Sequence, residues 1–298
     1  MDNNKKRVTV DRRDFLKLSG AGLSGLLLQS SDQVFASTPG EDDVALLYDA
    51  SKCIGCRACE RACKEYNNLP VEAVIPSDLS ATTWNLIKQR KGVDPADWPF
   101  VNYQCMHCTD AACVIVCPTG ALHKDQMGFV AFDEDKCNGC GYCTQFCPFG
   151  VPHLKHVNLV TGEAKAAKCT FCQDKVRAGT GGPSCAEACP TGALTWGKRE
   201  TLLDEAKIRV SQLKAEGHTG AMLYGESEAG GLHRLSILLD EPSAYDLPVD
   251  PQGPITFSRI WQKIIQPLGG IAVGATALGL LINFLVARTQ IKAEGEEA

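Results

Sequence analysis

The pattern of apolar and polar positions sets a middle region of short alternating elements between two apolar ends. Residues 44–49, Val-Ala-Leu-Leu-Tyr-Asp, are a brief apolar run and predict a strand. Residues 57–66 predict the start of a short helix. Runs at 121–124 and 129–132 flank Asp125-Gln126-Met127-Gly128, which predicts a hairpin. A second hairpin is expected in 152–168, turning near Thr161-Gly162. At 198–216 the spacing becomes helical, with Leu202, Leu203, Ala206 and Val210 on one face, and 232–239 reads as a strand that closes the domain. Residues 64–104 are rich in turns around Pro70, Pro76 and Pro95 and read as an insertion, a usual place for a partner surface.

Both ends carry membrane-related signals. Residues 267–286 are twenty positions without a charge. At about 1.5 Å of rise per residue they would reach about 30 Å, one bilayer core, so a single C-terminal transmembrane helix is expected. Gly270 and Gly274 form G-x-x-x-G within it, continued by Ala275 and Gly279, a face suited to packing on a helix of an integral-membrane partner. At the other end, Lys5, Lys6 and Arg7 precede Arg12-Arg13, then Phe15-Leu16-Lys17, an apolar stretch at 18–28, and Val34-Phe35-Ala36. This reads as a twin-arginine export signal cut after Ala36, with Asp11 standing where Ser or Thr is usual.

The middle holds the chemistry. All sixteen cysteines lie between Cys53 and Cys189, in four quartets. Cys53, Cys56, Cys59, Cys63 and Cys137, Cys140, Cys143, Cys147 read C-x2-C-x2-C-x3-C. Cys105, Cys108, Cys113, Cys117 read C-x2-C-x4-C-x3-C, and Cys169, Cys172, Cys185, Cys189 read C-x2-C-x12-C-x3-C. A [4Fe–4S] cube offers four iron corners, and a tight loop with cysteines three apart wraps three of them. The fourth corner faces away and takes the last cysteine of another quartet. Pro118, Pro148 and Pro190 follow the last cysteine of their quartets, whereas Lys64 takes that place in the first. Gly55 and Gly139 are expected to let backbone approach a cluster closely. Cys117-Pro-Thr-Gly-Ala-Leu122 recurs as Cys189-Pro-Thr-Gly-Ala-Leu194, the mark of a duplicated module.

Two other uses of cysteine fit less well. Disulfides suit an exported chain but give no reason for triads three apart, four times over. Zinc uses paired C-x2-C knuckles and leaves the extra cysteine of each quartet unexplained. Four complete quartets therefore predict four [4Fe–4S] clusters. His107, His153 and His156 lie near the quartets but are expected to hydrogen-bond rather than ligate. A net charge of −5 gives no basic footprint, which argues against a nucleic-acid partner. No nucleophile-and-base pair or phosphate loop stands out, so no catalytic residue is expected. Folded export orients the chain: clusters outside, the tail after 288 in the cytoplasm.

The quartets, together with Ala45-Leu-Leu-Tyr-Asp-Ala-Ser-Lys-Cys-Ile-Gly-Cys-Arg-Ala-Cys59, Gln104-Cys-Met-His-Cys108 and Leu223-Tyr-Gly-Glu-Ser-Glu-Ala-Gly-Gly231, resemble the four-cluster ferredoxin-type subunit of bacterial respiratory oxidoreductases. Within that group the signal and the single span are most similar to the iron–sulfur subunit of periplasmic hydrogenase-2. The beta subunit of formate dehydrogenase-N shares the clusters and the span but depends on its catalytic subunit's signal. The resemblance implies an α+β fold, a duplicated ferredoxin-like iron–sulfur domain with a C-terminal single transmembrane helix. Its parts would be a signal (1–36), a four-cluster domain (37–200), an extension and tether (201–254), a membrane anchor (255–288) and a tail (289–298). It implies that one cluster takes Cys53, Cys56, Cys59 and Cys189, and its partner Cys169, Cys172, Cys185 and Cys63. The other pair would take Cys105, Cys108, Cys113 and Cys147, and Cys137, Cys140, Cys143 and Cys117. Function would be non-catalytic: electrons relayed between a periplasmic catalytic subunit, with hydrogenase large and small subunits favoured, and a quinone-reactive integral-membrane subunit, with membrane lipid around the anchor. The alternatives are the same role beside a molybdopterin or cytochrome enzyme, and a disulfide-rich periplasmic binding protein.

Overall fold

The computed structural model describes residues 39–90, 100–158, 160–251 and, near the C-terminus, 265, 268–274, 276–277, 279–281 and 284. The chain divides after Ser37 into two compact units, and the first, with the expected export signal, lies outside the described residues.

Ten strands and six α-helices are described from Val44 to Tyr245. In chain order they are β1 (Val44–Asp49), α1 (Ala58–Tyr66), β2 (Asn85–Gln89), β3 (Phe100–Gln104), α2 (Ala112–Ile115), β4 (Leu122–Lys124), β5 (Val130–Phe132) and α3 (Tyr142–Phe146). There follow β6 (His153–Asn158), β7 (Glu163–Ala167), α4 (Gln173–Arg177), α5 (Ser184–Glu187), β8 (Leu194–Lys198), α6 (Arg199–Ala215), β9 (Met222–Tyr224) and β10 (Arg234–Leu238).

Strand β1 is the axis of the molecule. All six of its residues are buried, because it is paired on both edges and covered on both faces. The sheet order is β8-β1-β10-β9, with β1 parallel to β10 and antiparallel to β8. Period-two alternation sends Ala45 and Leu47 toward Leu202, Ala206 and Leu213 of α6. The same alternation sends Val44, Leu46 and Tyr48 to the opposite face, among Cys53, Cys59 and Cys185. The sheet thus has a helix on one side and cysteines on the other.

The strand expected at 232–239 is β10, and within the stretch 201–254 it joins β9 to supply half of the central sheet. The reason is a parallel pairing across nearly the whole domain, Leu46 opposite Arg234, which no local pattern announces. The insertion 64–104 also holds ordered structure, the β2–β3 hairpin. Lys64 explains its departure from the Pro pattern. Its buried ammonium donates to Pro70 O (3.0 Å) and Thr82 O (2.8 Å) and pairs with Glu72 (2.6 Å), so it pins the insertion to the end of α1.

The hairpins β4–β5 and β6–β7 and helix α6 fall where the pattern placed them. Of the uncharged run 267–286, the described residues are helical and those whose exposure is described face outward. Among the described residues no helix is long and apolar enough to cross a membrane, and the rest of the run lies outside them.

A candidate electron-transfer centre built from sixteen thiols

The first C-x-x-C turn of each quartet uses the same backbone device. The residue before its second cysteine has positive φ in all four quartets: Gly55 (69°), His107 (47°), Gly139 (72°) and Phe171 (62°). The left-handed conformation reverses the chain so that consecutive thiols point to one side, and glycine adopts it without the Cβ penalty. The structure adds a reason for glycine beyond approach to a cluster. A Cβ at Gly139 would lie 2.3 Å from the Ala164 carbonyl oxygen, and one at Gly55 would strike the Phe100 ring at 2.5 Å. Where the residue is not glycine, packing holds it. His107 and Phe171 meet edge to face at 5.1 Å, and Phe171 stacks on Phe129 at 5.0 Å.

None of the sixteen cysteines is in a disulfide. Their electrostatic neighbours sort them into four groups, each drawing on two quartets. Burial pushes the Cys59 thiol up to about 12, and Cys53, Cys189 and Cys56 add repulsion after Glu60. Burial also raises Cys63, followed by Cys169 and Cys172, while the thiols around buried Cys185 include Cys169, Cys63 and Cys172. Around Cys108, raised chiefly by burial, stand Cys105, Cys113 and Cys147. Cys143, at about 11 from burial first, faces Cys137, Cys140 and Cys117.

Charge interactions between thiols of different groups run from one group to the next. Cys59 acts on Cys63 and Cys185, linking the first group to the second. Cys105 is the largest charge acting on buried Cys169, linking the second to the third. Cys143 acts on Cys113, linking the third to the fourth. Cys56 and Cys140, the two exposed cysteines, belong to the first and last groups.

The surroundings suit thiolates around an iron–sulfur core. Backbone N–H groups donate to sulfur at 3.4 Å in five places: Leu122 to Cys117, Ala166 to Cys137, Phe171 to Cys169, Ser184 to Cys172 and Leu194 to Cys189. The two copies of Cys-Pro-Thr-Gly-Ala-Leu share this geometry, and each sets its Thr hydroxyl against the cysteine sulfur, Thr119 at 3.7 Å and Thr191 at 3.8 Å. Burial would raise Cys117, but these donors bring it below its ordinary value.

The sequence reading missed the lysines. Lys124, Lys165 and Lys168 donate to the carbonyls of Cys108 (2.9 Å), Cys137 (2.8 Å) and Cys169 (2.8 Å). Lys168 was detectable as the residue next to Cys169; the other two reach across hairpins. His107 is buried and its Nδ1 accepts from Val130 N–H at 3.1 Å, while burial lowers its affinity for a proton. His153 likewise bonds locally, to Val151 O at 2.9 Å.

The 4Fe–4S dicluster domain family matches residues 96–199, and a second dicluster family matches 47–122. The formate dehydrogenase iron–sulfur subunit of Haemophilus influenzae is 34% identical over 269 residues, covering 86% of this chain and 84% of that one. The chain belongs to the ferredoxin-type iron–sulfur electron-transfer subunits of respiratory oxidoreductases. The nitrate-inducible formate dehydrogenase iron–sulfur subunit of Escherichia coli is 36% identical over 256 residues, covering 82% of this chain and 85% of that one. The hydrogenase-2 operon protein HybA of Shigella flexneri is 32% identical over 314 residues, covering 90% and 94%. As a member of this family the chain is a non-catalytic electron carrier, and its sixteen cysteines suffice for four [4Fe–4S] clusters. Such clusters would supply one-electron redox chemistry; the thiolates of this chain would hold them, with backbone N–H groups donating to those sulfurs.

Proposed function

We propose that this chain is the linear electron relay of a membrane-associated oxidoreductase on the periplasmic side of the cytoplasmic membrane. The observation that carries the reading is the series of four thiol groups with its exposed cysteines, Cys56 and Cys140, in the two end groups. A relay needs its terminals at the surface and its middle enclosed. The ligand sets we assign are Cys53, Cys56, Cys59 and Cys189; Cys63, Cys169, Cys172 and Cys185; Cys105, Cys108, Cys113 and Cys147; and Cys117, Cys137, Cys140 and Cys143. Their support is the neighbour relations among the thiols.

The catalytic partner we favour is a hydrogenase, delivering electrons toward a quinone-reactive membrane subunit. The twin-arginine segment supports this, as does the near end-to-end match to the hydrogenase-2 operon protein, 90% of this chain and 94% of that one. A formate dehydrogenase is the second reading, favoured by the higher identities of 34% and 36%. The uncharged run 267–286 supports a membrane anchor, and Gly270 and Gly274, with nothing within 4 Å of an added Cβ, support a helix-packing face on it. Gly270→Leu with Gly274→Leu should release the membrane partner from detergent extracts.

Metal analysis of the complex that co-purifies with this chain tests the assignment. Nickel beside about sixteen or more irons, as four cubes require, supports the hydrogenase partner. Molybdenum or tungsten without nickel moves the relay to a formate dehydrogenase, and an iron content near zero ends the relay reading altogether.

A further inference from the structure

Arg234 stands on β10, outside both dicluster matches, yet its side chain is among the most deeply buried in the molecule. A buried cation ordinarily faces a carboxylate, because an unpaired charge in a low-dielectric interior is strongly unfavourable. Among the described residues Arg234 has none. Nη2 donates to Asn102 O (2.7 Å) and Asn102 Oδ1 (2.9 Å), Nη1 donates to Ser236 Oγ, and Nε has no partner. The guanidinium lies 5.1 Å from the centre of the Tyr48 ring, whose hydroxyl burial keeps neutral. The remaining groups that can carry negative charge toward it are the thiols of Cys185, Cys59 and Cys169.

The same wall holds further donors. Asn102 and Gln104 alternate to one face of β3, and Asn102 Nδ2 is 3.9 Å from Cys59 Sγ. Gln104 Oε1 is 4.0 Å from Cys185 Sγ, while its buried Nε2 has no partner among the described residues. A thiolate at Cys185 has no proton to give, so a half-turn of the amide would aim Nε2–H at the sulfur and satisfy both groups.

We propose that Arg234 is the fixed counter-charge of the clusters held by quartets one and four, and that it raises their reduction potentials. Each cluster is already anionic through its four thiolates, and reduction adds one more electron from its neighbour in the relay. A fixed cation in an enclosed site therefore stabilises the reduced form more than the oxidised form. Asn102 and Gln104 position the guanidinium and share the sulfur contacts. The inference rests on the ligand sets proposed above.

The test is an EPR-monitored redox titration of the intact complex carrying Arg234→Gln, Arg234→Lys, Ser236→Asp or Arg199→Gln. Arg199 is a buried arginine bonded to the Leu232 and Gly225 carbonyls, with Asp43 and Glu226 as its facing charges and no thiol. R234Q should lower the potential of one or two of the four clusters by at least tenfold in the reduction equilibrium, 59 mV for one electron. R234K should stay within tenfold of the wild type and R199Q should move none. S236D, which sets a carboxylate against the retained guanidinium, should lower the same clusters as R234Q. If R234Q and S236D fail to load iron while R234K loads fully, the clusters require the charge, in agreement with the proposal. Loss of iron in R234K, or four unmoved potentials in a loaded R234Q or S236D complex, overturns it. Wild-type protein without iron would instead overturn the ligand sets, so the two failures are distinguishable.

Discussion

The thiol groups divide into two halves that are built differently. Quartets one and four sit against the four-stranded sheet, where Cys53, Cys59, Cys63, Cys169, Cys172 and Cys185 are all buried. Quartets two and three are held by the two-stranded hairpins β4–β5 and β6–β7 and by helices of four and five residues, and Cys113, Cys117, Cys137 and Cys147 are only partly covered. The first half has a hydrophobic core of its own, because β1, β10 and α6 bury large apolar side chains between them. The second contributes a small cluster around Leu122 and Val130, too little to order it alone. The difference teaches that one fold can rest on packing in one half and on its cofactor in the other, as structural metals order small domains.

Removing iron should break this comparison most severely. After anaerobic chelation, hydrogen exchange should show the amides of β4 to β7 losing nearly all protection while β1 and β10 keep a measurable part of theirs. Equal loss in both halves would mean that the sheet has no independent stability. Next in size is Leu235→Ala, which opens a cavity between the sheet and α6. It should cost about 2–5 kcal/mol in thermal or denaturant unfolding. The spectra of the clusters in quartets two and three should be unchanged. Gly139→Ala acts on the other half. The left-handed backbone alone costs about 1–2 kcal/mol, and the Cβ meets the Ala164 carbonyl at 2.3 Å, so iron should be lost first from the cluster nearest Cys140. Lys64→Met removes the pin on the insertion and should cost about 2 kcal/mol, read as faster proteolysis between residues 69 and 83. The smallest effect is expected of Thr119→Val and Thr191→Val, each removing one hydroxyl from a cysteine sulfur. Each should shift one cluster by less than tenfold in its reduction equilibrium, and a matching shift in both would show that the repeat is equivalent in the two halves.

Sequence alone determined the chemistry and the local elements. Ligation by a cube demands cysteines at fixed short spacings, and turns, hairpins and the α6 stripe are set by neighbours a few residues apart, so these features are legible residue by residue. The repeat at Cys117 and Cys189 was equally legible, since identical letters in identical turns gave identical donors to sulfur. Tertiary structure decided what depends on distant pairing. Nothing near Arg234 in the sequence shows that β10 lies beside β1, that Asn102 comes from an apparent insertion to meet it, or that Cys59 and Cys185 share its surroundings. The same holds for the four mixed thiol groups and their series. Spacing cannot place one loop beside another, because a tight loop can wrap three corners of a cube and leaves the fourth to whatever segment packing brings near.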